Sequence, residues 1–278
     1  MSGSGNEAVL SELRRRVDEI ERGERRIEKT LPFGLAAIDD ALPGGGLPLG
    51  ALHEMRGAAG DEEDGAVAAA FLAGILARLD PERPVLWCQA ENDLYGPGVA
   101  AAGLGADRLI VARCRDDRER LWAMEEGLHS PALAAVLGEV GVLSLTAGRR
   151  LQLAAEATGV TGFVLSRWRE SVIAARERQS SSVATTRWQV TAMAGDLSAG
   201  EPGVGRPRWQ LDLLRCRGGI PGSWIVEASD ATGHVRLAAE LADRPAPPPR
   251  RSGAAAKIVQ GQFRPVMAEE GGKLKRLG

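Results

Sequence analysis

The chain has 278 residues, of which 44% are hydrophobic and 26% charged, with a formal net charge of −2. That length allows one sizeable core with appendages, and the near-neutral charge excludes a global electrostatic attraction to nucleic acid or membranes. The longest mostly apolar stretch, Ala66–Ala77, is too short to span a bilayer, and no secretory signal opens the chain, so we predict a soluble cytoplasmic protein. Its three widely spaced cysteines indicate neither a disulfide framework nor a metal site.

The two ends of the chain differ in pattern from its middle. Residues 6–28 place Leu10, Leu13, Val17 and Ile20 at three- and four-residue spacing, which predicts an amphipathic helix that packs on its own core or docks on a partner. We therefore assign residues 1–30 to an N-terminal helix, residues 31–240 to the core and residues 241–278 to a Pro-rich, basic and disordered tail. Glycines and prolines in residues 195–207 predict a mobile loop within the core.

From residue 51 onward, short apolar segments alternate with helical patterns. Buried strands separated by helices are typical of a parallel sheet that is covered by helices on both faces. Further along the chain, Gly- and Pro-containing turns separate strands directly, which predicts an antiparallel extension. The predicted strands are residues 51–55, 84–89, 108–112, 134–137, 162–166, 187–193, 209–214, 223–227 and 234–237, and the predicted helices are residues 65–79, 96–104, 116–127 and 147–158.

The loop of residues 57–65 lies between a strand and a helix, where a phosphate-binding P-loop would lie. A working loop, G-x-x-x-x-G-K-[ST], needs glycines for backbone approach, a lysine for the phosphate charges and a hydroxyl for magnesium. Here the loop reads GAAGDEEDG, and the chain has no lysine between Lys29 and Lys257 that could replace the missing one. We predict a degenerate loop that binds no nucleotide and a protein that is not an enzyme. The residues concerned are Gly57, Gly60, Glu62, Glu63 and Asp64.

The acidic run in this loop has two interpretations. Carboxylates are stabilised at a helix N-terminus by about 0.3–1 kcal/mol each, so a solvated capping turn is the simpler one. A magnesium or calcium site at Asp61, Glu62 and Asp64 would need the spaced oxygen ligands and the glycine of known calcium loops, which are missing. We therefore predict neither a metal nor a cofactor.

Three stretches resemble the RecA family of ATPases: GLAAIDDAL at residues 34–42, GGLPLG at residues 45–50 and WCQAE at residues 87–91. The resemblance implies a RecA-like core. It also implies that Glu91 stands where such enzymes polarise the attacking water and Glu139 near their magnesium-holding aspartate. Without a P-loop, we interpret Glu91 as a relic or a structural hydrogen-bond acceptor.

A second resemblance, over about residues 31–240, is to the ImuA family, whose members are RecA-like and lack a normal P-loop. It rests on ATTRWQV at residues 184–190, GRPRWQLDLLRCRGG at residues 205–219 and PGSWIVE at residues 221–227. It implies a non-catalytic adaptor in SOS-induced translesion DNA synthesis, which contacts an ImuB-like polymerase-related scaffold and, through it, an error-prone C-family DNA polymerase. RecA and single-stranded DNA are further candidate contacts, and a weak RecA-like ATPase or a cell-division inhibitor of the SOS response are the alternatives.

Tryptophans beside arginines form a candidate surface for DNA or a partner, because aromatic rings stack on bases and guanidinium groups contact phosphates. Tryptophans on strands are also common core anchors beside solvated arginines, so both readings stay open. The basic tail is a second candidate. The candidate contacts are Arg187, Trp188, Arg208, Trp209, Arg215, Arg217, Arg250, Arg251, Lys273, Lys275 and Arg276.

Overall fold

A computed structural model describes residues 29–58, 64–89, 91–167, 182–196 and 205–238. These residues belong to one compact unit, residues 1–239. The predicted N-terminal helix at residues 6–28, most of the predicted mobile loop and the basic tail lie outside the described ranges. Residue 30, which we assigned to the N-terminal segment, begins the first described strand.

The described residues form eleven strands and five α-helices, of which the nine strands and four helices that follow residue 51 match the predicted elements in their order. The strands are β1 (Thr30–Leu31), β2 (Leu47–Pro48), β3 (Leu52–Gly57), β4 (Val85–Gln89), β5 (Leu109–Arg113), β6 (Ala135–Val140), β7 (Thr161–Ser166), β8 (Thr186–Asp196), β9 (Arg206–Cys216), β10 (Gly222–Glu227) and β11 (Arg236–Leu237). The helices are α1 (Ala36–Asp39), α2 (Ala66–Ala77), α3 (Gly96–Ala101), α4 (Asp117–Leu128) and α5 (Leu145–Thr158).

Nine of these strands form one mixed sheet in the order β11-β10-β9-β8-β3-β7-β6-β4-β5. The six strands from β8 to β5 in this order run parallel to one another. Strands β9, β10 and β11 extend the sheet by antiparallel pairing beyond β8. The predicted α/β class, with a mostly parallel sheet and an antiparallel extension, is confirmed.

Helices cover both faces of the parallel strands. On one face, α2 packs on β3 and β8, and its Phe71 and Leu72 share a large apolar cluster with Met55 and Trp87. On the other face, α4 and α5 bury Met124 in a second cluster. Because side chains alternate along each strand, a sheet covered in this way needs strands that are apolar on both faces. Among the described residues, no helix combines the length and the apolar character that crossing a membrane requires.

The helix ends follow local sequence signals. The Asp116 side chain accepts a hydrogen bond from the Glu119 N–H and begins α4, and Ser144 does the same for α5 through the Ala147 N–H. Gly159 ends α5 in the left-handed conformation, with φ of 80°. Strand β6 is longer than predicted and includes Glu139, which we had placed after the strand.

Candidate functional site

The parallel strands β3, β4, β6 and β7 end on the same side of the sheet. The region beyond these carboxyl ends is the usual place for a ligand in an open α/β fold. The loop that would cradle phosphates leaves β3 at Gly57 and leads to α2, which begins at Ala66. Gly60, Glu62 and Glu63 of this loop lie outside the described residues. Its last acidic residue, Asp64, is described.

The Asp64 side chain is packed into this end of the loop. It is 4% exposed, and its Oδ1 accepts a hydrogen bond of 2.9 Å from the Ala192 N–H of β8. A β-carbon added at Gly57 would lie 2.6 Å from the Asp64 Cβ, so only glycine fits at the end of β3. Asp64 therefore joins the start of α2 to β8, and our interpretation of the acidic run as a solvated turn is wrong at this residue.

Glu139 lies near the carboxyl end of β6, where the RecA resemblance places the magnesium-holding carboxylate. It is 1% exposed; its Oε1 accepts a hydrogen bond of 2.8 Å from the Trp87 indole N–H, and its Oε2 lies 3.2 Å from Arg167 Nη1. The second Nη of Arg167 lies 2.7 Å from Asp93 Oδ2. Both Glu139 oxygens thus bind protein donors, and the guanidinium offsets the negative charge that would attract a divalent cation.

Glu91 follows β4 and is exposed. It lies in the same loop as Asp93, whose carboxylate binds Arg167. Within the described ranges, no group of three or more His, Cys, Asp or Glu side chains is arranged to hold a metal ion. The interpretation of Glu91 as a relic stays a prediction.

The three cysteines are free thiols. Burial raises the pKa of Cys88 to about 12 and that of Cys216 to about 11. The Cys114 pKa is raised as well, chiefly by burial. Because the thiolate is the nucleophilic form, these groups are poorly suited to thiol chemistry at neutral pH.

Trp188 and Trp209, which we proposed as contacts for DNA or a partner, lie in the core. They are 0% and 4% exposed, and the Trp188 indole N–H donates to Thr186 Oγ1 at 3.0 Å. The Trp188 ring packs 5.6 Å from Phe33, and both tryptophan rings lie 6.2 Å from Phe71, measured between centroids. Stacking on a base would require opening this cluster, which removes both rings from the candidate contacts.

The arginines near these tryptophans bind the segment that leads into β8. Arg187 Nε lies 2.7 Å from Glu54 Oε2, and both side chains are nearly buried. Arg215 donates to the Ser182 carbonyl, and Arg217 Nη2 donates to the Val183 carbonyl at 3.3 Å. These guanidinium groups fasten residues 182–187 to β3 and β9. Arg208 is half-buried opposite Met193, and the five basic tail residues lie outside the described ranges.

The sequence alone did not identify the charged residues that these carboxylates and guanidinium groups bind. Glu54 and Arg56 lie on β3, which is buried throughout, and Arg167 follows β7. The signal was present in the segment LHEMR, because charged residues inside a buried strand need partners. The partner of Glu54 lies 133 residues away along the chain, so only the fold identifies it.

Comparison with known proteins identifies relatives of this chain. No family model matches the chain. Protein ImuA of Caulobacter vibrioides, from strain NA1000 / CB15N and from strain ATCC 19089 / CIP 103742 / CB 15, is 40% identical over 232 residues. The match covers 81% of this chain and 95% of the relative in both cases. With this identity over nearly the whole relative, the chain belongs to the ImuA family.

Proposed function

We propose that this protein is a non-catalytic adaptor in damage-induced translesion DNA synthesis, built on a RecA-like fold. It contacts an ImuB-like polymerase-related scaffold, and through that scaffold it serves an error-prone C-family DNA polymerase. RecA and single-stranded DNA are secondary candidate contacts. The observation that carries the non-catalytic part is the burial of Asp64 against β8, where a P-loop would bring a hydroxyl to magnesium.

The loop chemistry supports this proposal in two ways. Backbone N–H groups of a P-loop must be free to bind phosphate oxygens, whereas here the Asp64 side chain is packed at the end of the loop against Gly57. Two like unit charges 4 Å apart also repel by roughly 1 to 4 kcal/mol between water-like and surface-like dielectric constants. The sequence of residues 61–64 is acidic, and no lysine lies between Lys29 and Lys257 to offset such repulsion of a triphosphate.

The second carboxylate of a RecA-like site is also engaged. Glu139 binds Trp87 and Arg167, so its two oxygens connect the carboxyl ends of neighbouring parallel strands. Magnesium would have to displace the Arg167 guanidinium from a residue that is 1% exposed. A fold in which Asp64 and Glu139 are both engaged in packing is best used for its surfaces.

The full-length chain is expected to show no saturable ATP turnover above a heat-treated sample. Glu91→Gln is expected to match the unaltered chain, because no bound phosphate would present a water to this exposed side chain. Release of inorganic phosphate with magnesium, with and without single-stranded DNA, measures this. Saturable turnover that Glu91→Gln abolishes would establish the weak RecA-like ATPase instead.

A pull-down with the purified ImuB-like scaffold tests the adaptor function. The full-length chain is expected to retain the scaffold, and a chain that ends at residue 240 serves as the matched variant without the basic tail. Retention by both chains assigns the contact to the core or N-terminal segment, and retention by the full-length chain alone assigns it to the tail. Failure of both chains to bind contradicts the proposal, and DNA-damage-independent filamentation on overexpression would favour the cell-division inhibitor.

A further inference from the structure

The two edge strands of the nine-stranded sheet, β11 and β5, differ in length and in the polarity of their exposed side chains. At one edge, β11 has two residues, one of them Arg236. At the other edge, β5 has five residues, LIVAR, without the lysine or proline that often protects an edge strand, and its one charged residue, Arg113, is the last. Strand β5 instead exposes Ile110 by 48% and Val111 by 43%.

These two side chains point to opposite faces of the sheet, so the edge is apolar on both faces. The backbone of β5 is also presented to solvent. Cys114 donates its N–H to the Gln89 carbonyl at 3.4 Å, and backbone direction alternates along a strand. The N–H and C=O groups of Leu109, Val111 and Arg113 therefore face away from β4. In the part of the chain that is described, no strand lies beyond β5 in the sheet order.

We propose that the β5 edge pairs with β5 of a second copy of this chain, antiparallel and about a twofold axis at Val111. A twofold interface uses the same patch on both subunits, so the patch must complement itself. In this register Val111 meets the partner's Val111, and Ile110 meets the partner's Ala112. The outward-facing backbone of Val111 makes this central pair the hydrogen-bonded one.

The charges that flank β5 favour a second copy of the chain in the antiparallel direction. Asp107 lies in the 3-10 turn that precedes β5, and Arg115 lies in the bend that follows it. Twofold antiparallel pairing brings the Asp107 end of one copy toward the Arg115 end of the partner copy. Asp107 is exposed, and the Arg115 side chain is 89% exposed although its Nε lies 3.1 Å from Glu119 Oε2. The symmetry brings these opposite charges together twice, whereas parallel pairing of two copies would bring like charges together at both ends of β5.

The helix layer is compatible with the pairing. Ile110 and Ala112 lie beside Leu86 and Cys88 of β4, on the face that α4 covers. Because residues directly opposite in an antiparallel pair share a face, both copies carry α4 on the same side of the joined sheet. On α4, Trp122 is 62% exposed and adds apolar surface to that side.

Sedimentation over a concentration series tests the proposal on the full-length chain. The unaltered chain is expected to associate reversibly to dimers, and Val111→Lys is expected to weaken the association at least about tenfold, because two ammonium groups would meet at the axis. Leu153→Lys, at a residue of α5 that is 55% exposed, is the matched control and is expected to leave the dimer unchanged. A chain that stays monomeric throughout, or a dimer that tolerates Val111→Lys, overturns the proposal.

A charge exchange tests the antiparallel arrangement independently. Asp107→Arg and Arg115→Asp are each expected to weaken self-association, because like charges then meet on both sides of the axis. An equimolar mixture of the two variants is expected to form a heterodimer about as stable as the original dimer, since each altered charge meets its opposite. Two variants that dimerise as well alone as the unaltered chain, or a mixture that stays monomeric while the unaltered chain dimerises, would show that β5 does not pair in this way.

Discussion

Replacing Arg167 with methionine is expected to lower the free energy of unfolding by about 3–5 kcal/mol, as loss of one partner from a buried ion pair typically does. The Glu139 carboxylate is 1% exposed, and Arg167 Nη1 lies 3.2 Å from its Oε2. Methionine fills much of the same volume, so the loss reports mainly the charge left in a poorly solvated place. Urea denaturation near neutral pH, followed by tryptophan fluorescence, measures it.

A second substitution separates the charge from the packing. Glu139→Gln in the Arg167→Met background is expected to recover much of the lost free energy, because the amide is neutral and its oxygen still accepts the Trp87 N–H. Arg150→Met, which breaks an exposed pair with Glu125, is the control and is expected to cost about 1 kcal/mol or less. If Arg167→Met costs no more than Arg150→Met, Glu139 is not held by its guanidinium partner.

The class of fold could be read from the sequence because it depends on local patterns. Alternating apolar strands and helices predict the parallel sheet, and the Gly- and Pro-containing turns after residue 166 predict its antiparallel extension. Element ends depend on more than the local pattern: β6 continues to Val140 and thereby carries Glu139 into the buried sheet. Apolar periodicity ends at Gly138, and the strand continues because Glu139 finds partners in Trp87 and Arg167.

The site could be predicted only as far as residue types decide it. The missing lysine, second glycine and hydroxyl are visible in the letters of the loop, whereas the burial of Asp64 depends on the Ala192 N–H, 128 residues away. The same limit applies to Trp188, since an aromatic residue beside arginines looks alike in a core strand and on a binding surface. Its position was decided by α2 and by Phe33, which enclose the ring.

A buried histidine gives the second large effect, a loss of stability in mild acid. Burial lowers the pKa of His53 from 6.5 to about 4. The ring is fully buried, with Nε2 at 2.8 Å from the Pro48 carbonyl and Nδ1 at 2.7 Å from Thr186 Oγ1. A carbonyl only accepts, so Nε2 carries the hydrogen and Nδ1 accepts from the Thr186 hydroxyl, whose oxygen accepts from the Trp188 N–H. Protonation of Nδ1 would remove the acceptor of the Thr186 hydroxyl and force that hydroxyl to turn its hydrogen away from the ring.

The direction of this pH effect on the free energy of unfolding depends on whether the folded or the unfolded chain binds the proton. Between pH 6.5 and about 4 the unfolded chain protonates His53 and the folded chain does not, so the contribution of His53 is complete above pH 6.5 and is lost as the pH falls toward 4. At about 1.4 kcal/mol for each pH unit, the total loss is about 3 kcal/mol. His53→Gln is expected to remove this part of the pH dependence, whereas His129→Gln, at an exposed residue, is expected to retain it. Carboxylates titrate in both variants, so the difference between the two curves of unfolding free energy against pH isolates His53. Parallel curves would mean that this imidazole is protonated as readily in the folded chain as in the unfolded one.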